Sequence, residues 1–127
     1  MQRILIVDDE KPIRDMLDKF FSNKGYETFV AENFNEALKI LDNHNIQMIV
    51  TDLNMPDMSG IDLCKEIRVK RPVAQVFAIT GGEPHFFELA ECRAIGFDDY
   101  FKKPVQLPIL FNAVKNAFEK IERWKGR

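Results

Sequence analysis

Five side chains of the kinds that can hold a phosphoryl group stand at the ends of four short apolar runs: Asp8 with Asp9, Asp52, Thr80 and Lys103. The runs are Arg3 to Val7 before the acidic pair, Ile46 to Thr51 before Asp52, Ala74 to Ile79 before Thr80, and Asp99 to Lys102 before Lys103. Three carboxylates gathered at one place repel one another, each pair at about 4 Å by roughly 4 kcal/mol at an effective dielectric near 20. A divalent cation relieves that repulsion. All-oxygen donors without His or Cys favour a hard ion, and a site with two or three carboxylates leaves Mg²⁺ room for the waters it keeps. Lys103 supplies a movable positive charge and Thr80 a hydroxyl donor, both suited to phosphoryl oxygens. A central carboxylate can then serve as nucleophile. Asp52 is that candidate, because it ends the most uniformly apolar run and stands between the acidic pair and Thr80 in chain order; Asp8 and Asp9 are the candidate metal ligands.

For these residues to meet, the runs must be neighbouring parallel strands, and the intervening segments support this. Behind Pro12, the residues Ile13, Met16, Leu17, Phe20 and Phe21 recur at helical spacing up to Gly25. Tyr26 to Ala31 reads as a short strand, and Phe34, Ala37, Leu38 and Leu41 mark the next helix. After Asp52, the stretch Asn54 to Gly60 has the Pro, Asp, Ser and Gly content of a loop, and Ile61, Leu63, Cys64, Ile67 and Arg68 begin a helix that stops near Arg71 and Pro72. A further helix carries Phe86, Phe87, Leu89, Ala90 and Ala94 and ends at Gly96. The last, opened by Pro108, presents Leu110, Phe111, Val114, Ala117, Phe118 and Ile121 as one stripe. Strand and helix alternate five times, which predicts a right-handed doubly wound α/β fold: one five-stranded parallel sheet with five helices covering both faces. In such sheets the crevice lies beyond the carboxyl ends of the strands, where the polar residues stand.

Size and charge bound the rest. The chain has 127 residues and a net charge of -2, enough for one core and too few for a second folded domain. Residues 1–122 are expected to form that domain and 123–127 a polar tail. With no dense run of Lys or Arg, nucleic-acid binding by this chain is not expected. With no long apolar stretch and no room for a signal peptide ahead of the first strand, the expected place is the cytoplasm, away from membrane. Cys64 and Cys92 lie in separate helices without the spacing of a metal or redox motif and read as packed free thiols. His44 and His85 are isolated and read as exposed helix or loop residues.

The motifs together resemble the receiver domain of a two-component response regulator, of the chemotaxis-regulator kind. The matching pieces are Ile6-Val7-Asp8-Asp9-Glu10, Thr51 to Gly60, Ile79-Thr80-Gly81 and Gly96 to Pro104, so the resemblance covers nearly the whole chain. It implies a flavodoxin-like strand order of 2-1-3-4-5 and a phosphorelay role, in which a sensor histidine kinase or a histidine phosphotransfer protein passes a phosphoryl group to Asp52. It further implies Mg²⁺ on Asp9, Asp52 and the backbone carbonyl of Asn54, with Asp8 assisting through a metal-bound water. Thr80 would shift toward the new group, Tyr100 would swing inward behind it, and the bond before Pro104 would be cis, aiming Lys103 into the site. The face formed by the fourth helix, fifth strand and fifth helix would change its binding to a downstream protein or a fused output domain, with Phe86, Phe87, Tyr100 and Phe101 on or near it. Asn54 and Gly82 occupy positions that tune phosphoryl lifetime, here an intermediate one. An aspartate-nucleophile phosphohydrolase would need Asp-x-Asp after the first strand, where this chain has adjacent acids. A flavin binder would need a Ser, Thr and Gly loop there. A phosphorylation-independent scaffold is the remaining alternative, although all five site positions are intact.

Overall fold

In a computed structural model, which describes residues 1–55, 59–81 and 86–126 (the backbone alone for 86–89), strands and helices alternate along the chain. They are β1 (Arg3–Val7), α1 (Lys11–Asn23), β2 (Glu27–Ala31), α2 (Phe34–Asn43) and β3 (Met48–Asp52), then α3 (Gly60–Lys70), β4 (Gln75–Thr80), α4 (Phe86–Ile95), β5 (Asp99–Lys102) and α5 (Leu107–Lys125). The strands form one parallel sheet in the order β2-β1-β3-β4-β5. Strand order reverses between β1 and β3, the position where a crevice opens in a doubly wound sheet.

Side-chain alternation sorts the core into two layers. Ile4 and Ile6 of β1, Met48 and Val50 of β3, and Phe77 and Ile79 of β4 pack with Leu17 and Phe21 of α1 and Leu110, Val114 and Phe118 of α5. Leu5, Val7, Ile49, Val76 and Ala78 point the other way, onto Ala37 and Leu41 of α2, Leu63 and Ile67 of α3 and Cys92 of α4. Every residue of β3 and β4 is buried, as strands covered on both faces require. The same alternation splits two aromatics of β5: Tyr100 packs on the α2–α4 side, while Phe101 turns to the α5 side with its ring 5.5 Å from Phe77.

Helix ends follow local chemistry. Ser59 and Asp62 form a reciprocal capping box at the start of α3, and Asn33 caps α2 by accepting from the Glu36 amide at 2.9 Å. Gly25, at φ +95°, makes the turn out of α1. Residues 123–125 form the last turn of α5, which continues to Lys125. Nothing between Glu122 and Lys125 breaks a helix, and the two pair at 3.7 Å across one turn.

Arg68, which the sequence places in the helix after the Asn54 to Gly60 loop, ties three elements together. Its guanidinium donates to the carbonyls of Gly96 (2.9 Å), Pro72 (3.2 Å) and Ala74 and to Asp98 Oδ2 (2.6 Å). Asp98 Oδ2 also accepts from the Val76 amide at 2.9 Å. A Cβ on Gly96 would come within 2.8 Å of Arg68 Nε, and its φ is +118°, so glycine is needed at this joint twice over. Arg68→Ala is expected to cost about 3 kcal/mol, because it strands several acceptors and the Asp98 charge. A thermal melt checks this, and a loss within 0.5 kcal/mol, the ordinary surface range, would contradict it.

Candidate functional site

The ladder itself delivers the polar residues to one edge. Beyond the strand ends, Asp8 N donates to Ala31 O (3.1 Å), Leu53 N to Ile79 O (2.9 Å) and Lys103 N to Thr80 O (2.7 Å). Asp52 pairs with Ile79, and Thr80 with Lys102, so Asp52, Thr80 and Lys103 sit within two register steps of one another. The Lys103–Pro104 peptide is cis.

Asp8, Asp9 and Asp52 each offer a carboxylate oxygen, and the three oxygens lie within 4.8 Å of one another. Asp8 and Asp52 are buried, Asp9 exposed. Asp8 Oδ1 accepts the Glu10 amide at 2.8 Å and Asp52 Oδ1 accepts the Asn54 amide at 3.1 Å. The Lys103 ammonium closes the group, 3.0 Å from Asp8 Oδ2, 3.3 Å from Asp52 Oδ2 and 2.9 Å from Glu10 Oε2. Asp8 Oδ2 is buried and faces the Lys103 ammonium, so a cationic group stands where a metal ion would also be drawn. A carboxylate trio without nitrogen or sulfur donors fits a hard, oxygen-seeking ion such as Mg²⁺.

The electrostatics are strained in opposite senses. Burial pushes the Asp52 carboxyl up to about 6; the Asn54 amide opposes the rise, Asp8's charge adds to it, and the Lys103 ammonium opposes it. Burial works against the charge on Lys103, but Glu10, Asp8 and Asp52 outweigh it and hold the proton more tightly than on an ordinary lysine. At neutral pH the site therefore contains an ionised but poorly solvated Asp52 facing a firmly charged Lys103.

Three contributors have no assigned role in the sequence reading. Glu10 follows the acidic pair directly, yet only the fold brings residue 103 to it. Arg14, one turn into α1, donates to the Asp8 carbonyl at 2.7 Å and pairs with Glu32 at 3.7 Å; four residues beyond Glu10 is the spacing that could have flagged it. Gly60, read as part of a loop, is the first residue of α3, and a Cβ there would fall 2.2 Å from the Asp52 carbonyl oxygen. Tyr100 is half-buried and, with Cys92, Arg93, Phe97, Asp98 and Asp99, lines a groove of about 380 Å³ between α4 and β5. Asn54 is exposed. Gly82, His85, the Pro56-Asp57-Met58 part of the loop and the side chains of Phe86 and Phe87 lie outside the described residues. His44 caps the end of α2, its ring 4.5 Å from Phe29. Cys64 and Cys92 are buried, and burial pushes Cys64 up to about 11, which keeps it unreactive.

A doubly wound parallel domain with an acidic, lysine-closed site at the carboxyl edge is thus defined by geometry alone. The family model for the response regulator receiver domain matches residues 4–115. The chain is 33% identical over 115 residues to the sporulation initiation phosphotransferase F of Bacillus subtilis, covering 90% of this chain and 91% of that protein. It is 31% identical over 124 residues to the regulatory protein VanR of Enterococcus faecium, covering 98% of this chain and 53% of that protein, so it spans about half of VanR's length. Among solved structures, the response regulator TrrA of Thermotoga maritima, in complex with Mg²⁺-BeF, superposes with a TM-score of 0.82 at 35% identity, covering 92% of this chain and 99% of that one. The chain belongs to the response regulator receiver domain family of two-component systems. Among the described residues, no helix is long and apolar enough to cross a membrane.

Proposed function

We propose that this receiver, spanning residues 1–122, acts in the cytoplasm as a phosphoacceptor, taking a phosphoryl group on Asp52 from a sensor histidine kinase or a histidine phosphotransfer protein. The observation that carries the reading is the trio of Asp8, Asp9 and Asp52 within 4.8 Å, closed by Lys103 at 3.0 and 3.3 Å. In the transfer, an Asp52 carboxylate oxygen forms the new bond to phosphorus as the donor's P–N bond breaks, and the imidazole nitrogen keeps the electron pair. Asp8, Asp9, Asp52 and the Asn54 carbonyl would hold Mg²⁺, which when bound neutralises charge on the phosphoryl oxygens. The Lys103 ammonium takes one phosphoryl oxygen and the Thr80 hydroxyl donates to another, so the charge is met by groups already held in the ladder. The new dianion then draws Thr80 inward, Tyr100 follows, and the α4–β5–α5 face changes its affinity for a downstream protein or output domain.

The test is incubation with Mg²⁺ and a small acyl phosphate, read by intact mass. Wild type should gain one phosphoryl group and Asp52→Asn none. Equal labelling of the variant would refute the acceptor assignment, and catalytic turnover of phosphate esters would favour a phosphohydrolase instead.

A further inference from the structure

Resting on the phosphoacceptor reading, we propose that Glu10 is a positioning residue: an outer seat that holds the Lys103 ammonium when the inner carboxylates are taken and competes with the phosphoryl group for it. The ammonium touches two kinds of carboxylate. Asp8 and Asp52 are inner, with side chains 0% and 5% exposed, whereas the Glu10 side chain is 57% exposed. Glu10 nevertheless makes the shortest contact of the three, 2.9 Å against 3.0 and 3.3 Å. Its backbone is fixed as the N-cap of α1: its amide donates to Asp8 Oδ1 and its carbonyl accepts from the Ile13 and Arg14 amides at 3.1 Å. The carboxylate thus hangs from an anchored stem at the solvent side of the site.

A divalent cation and an ammonium cannot share Asp8 and Asp52 at close range without strong repulsion. Glu10 lets the ammonium retreat outward without leaving the site, which favours cation entry. Once a phosphoryl group stands on Asp52, the same seat draws the ammonium away from it and adds a negative charge beside a dianion. Removing the seat should therefore weaken one ligand and strengthen the other, whereas damage to local packing would weaken both.

The experiment measures Mg²⁺ binding by calorimetry, then beryllofluoride binding at saturating Mg²⁺, in wild type, Glu10→Gln and Glu10→Asp, with a melt in chelator to register folding. Glu10→Gln is expected to bind Mg²⁺ about threefold more weakly and beryllofluoride about threefold more tightly, the size of one half-exposed ion pair. Glu10→Asp keeps the charge but withdraws it by one methylene, so it should follow Glu10→Gln if contact with the ammonium matters. Changes of the same sign for both ligands, or an Asp variant that behaves as wild type, would overturn the seat. Failure of wild type to bind beryllofluoride at all would overturn the phosphoacceptor reading beneath it.

Discussion

Adding Mg²⁺ to a hundredfold excess over its dissociation constant is expected to raise the melting temperature of the metal-free protein by about 10 °C at pH 7.5, and by far less below pH 5. Preferential binding to the folded chain at that excess is worth about 2.7 kcal/mol, and about 4 °C per kcal/mol applies to a domain of this size. The pH dependence comes from Asp52, whose carboxyl is pushed up to about 6 in the fold. Between about pH 4 and about pH 6 the folded metal-free chain holds a proton there that the unfolded chain has released. The stabilisation from that proton is complete below the unfolded value near ~4 and is lost as pH rises through about 6. Cation binding needs the ionised carboxylate, so its contribution grows over the window in which the proton's contribution disappears. Asp52→Asn should abolish most of the Mg²⁺ increment and, in chelator at pH 7.5, melt no lower than wild type, because a neutral amide removes a poorly solvated charge while Lys103 keeps Asp8 and Glu10. Equal Mg²⁺ increments in the two proteins would show that the cation binds elsewhere.

Among the described glycines, Gly60→Ala should be the most damaging change to alanine. The added Cβ would lie 2.2 Å from the Asp52 carbonyl oxygen and 3.1 Å from both the Asp52 carbonyl carbon and Leu53 Cα, all backbone atoms. No flexible side chain can yield, so either the end of β3 or the start of α3 must move. Overpacking of this kind costs roughly 1–3 kcal/mol, and displacing the Ser59–Asp62 cap adds about 1 kcal/mol. We expect a total near 3 kcal/mol, a melting point lowered by about 12 °C, and phosphoryl uptake slowed at least tenfold by misplacement of Asp52. Gly81→Ala is the contrast: among the described residues its Cβ would meet Lys103 Cδ at 3.8 Å, an ordinary contact, so its stability cost should be small. Comparable losses in the two variants would refute close approach as the reason for Gly60.

Much of this was legible because strand interiors and strand ends differ so sharply in composition. The run from Arg3 to Val7 is β1 end to end. The second and third runs begin at Ile46 and Ala74, ahead of Met48 and Gln75 where β3 and β4 start, and Asp52 and Thr80 close those strands although their side chains serve the edge. Tyr26 was read into β2, but its amide closes the turn after α1 on the Phe21 carbonyl, and its ring stacks on Phe118 at 5.4 Å. The acidic trio and Lys103 came through because rare polar types follow apolar runs four times in order. Glu10, Gly60 and Arg68 did not, and for one reason: each acts on a backbone or side chain 8 to 93 residues away. A charge, a glycine or a basic residue on a helix gives no local sign of such a partner.

The division of the core by the sheet extends to the face proposed to carry the output. Among the described residues, the layer with α1 and α5 and the layer with α2, α3 and α4 are packed as separate clusters on the two faces of the sheet. The sheet is a partition wall with the acidic site set into its upper edge. The proposed α4–β5–α5 face straddles that wall, with Cys92 of α4 and Tyr100 of β5 on one side and Phe101 of β5 and α5 on the other, beside α1. Both rooms of the building therefore open onto the face, and both are joined at the rim where Asp8 and Asp52 stand.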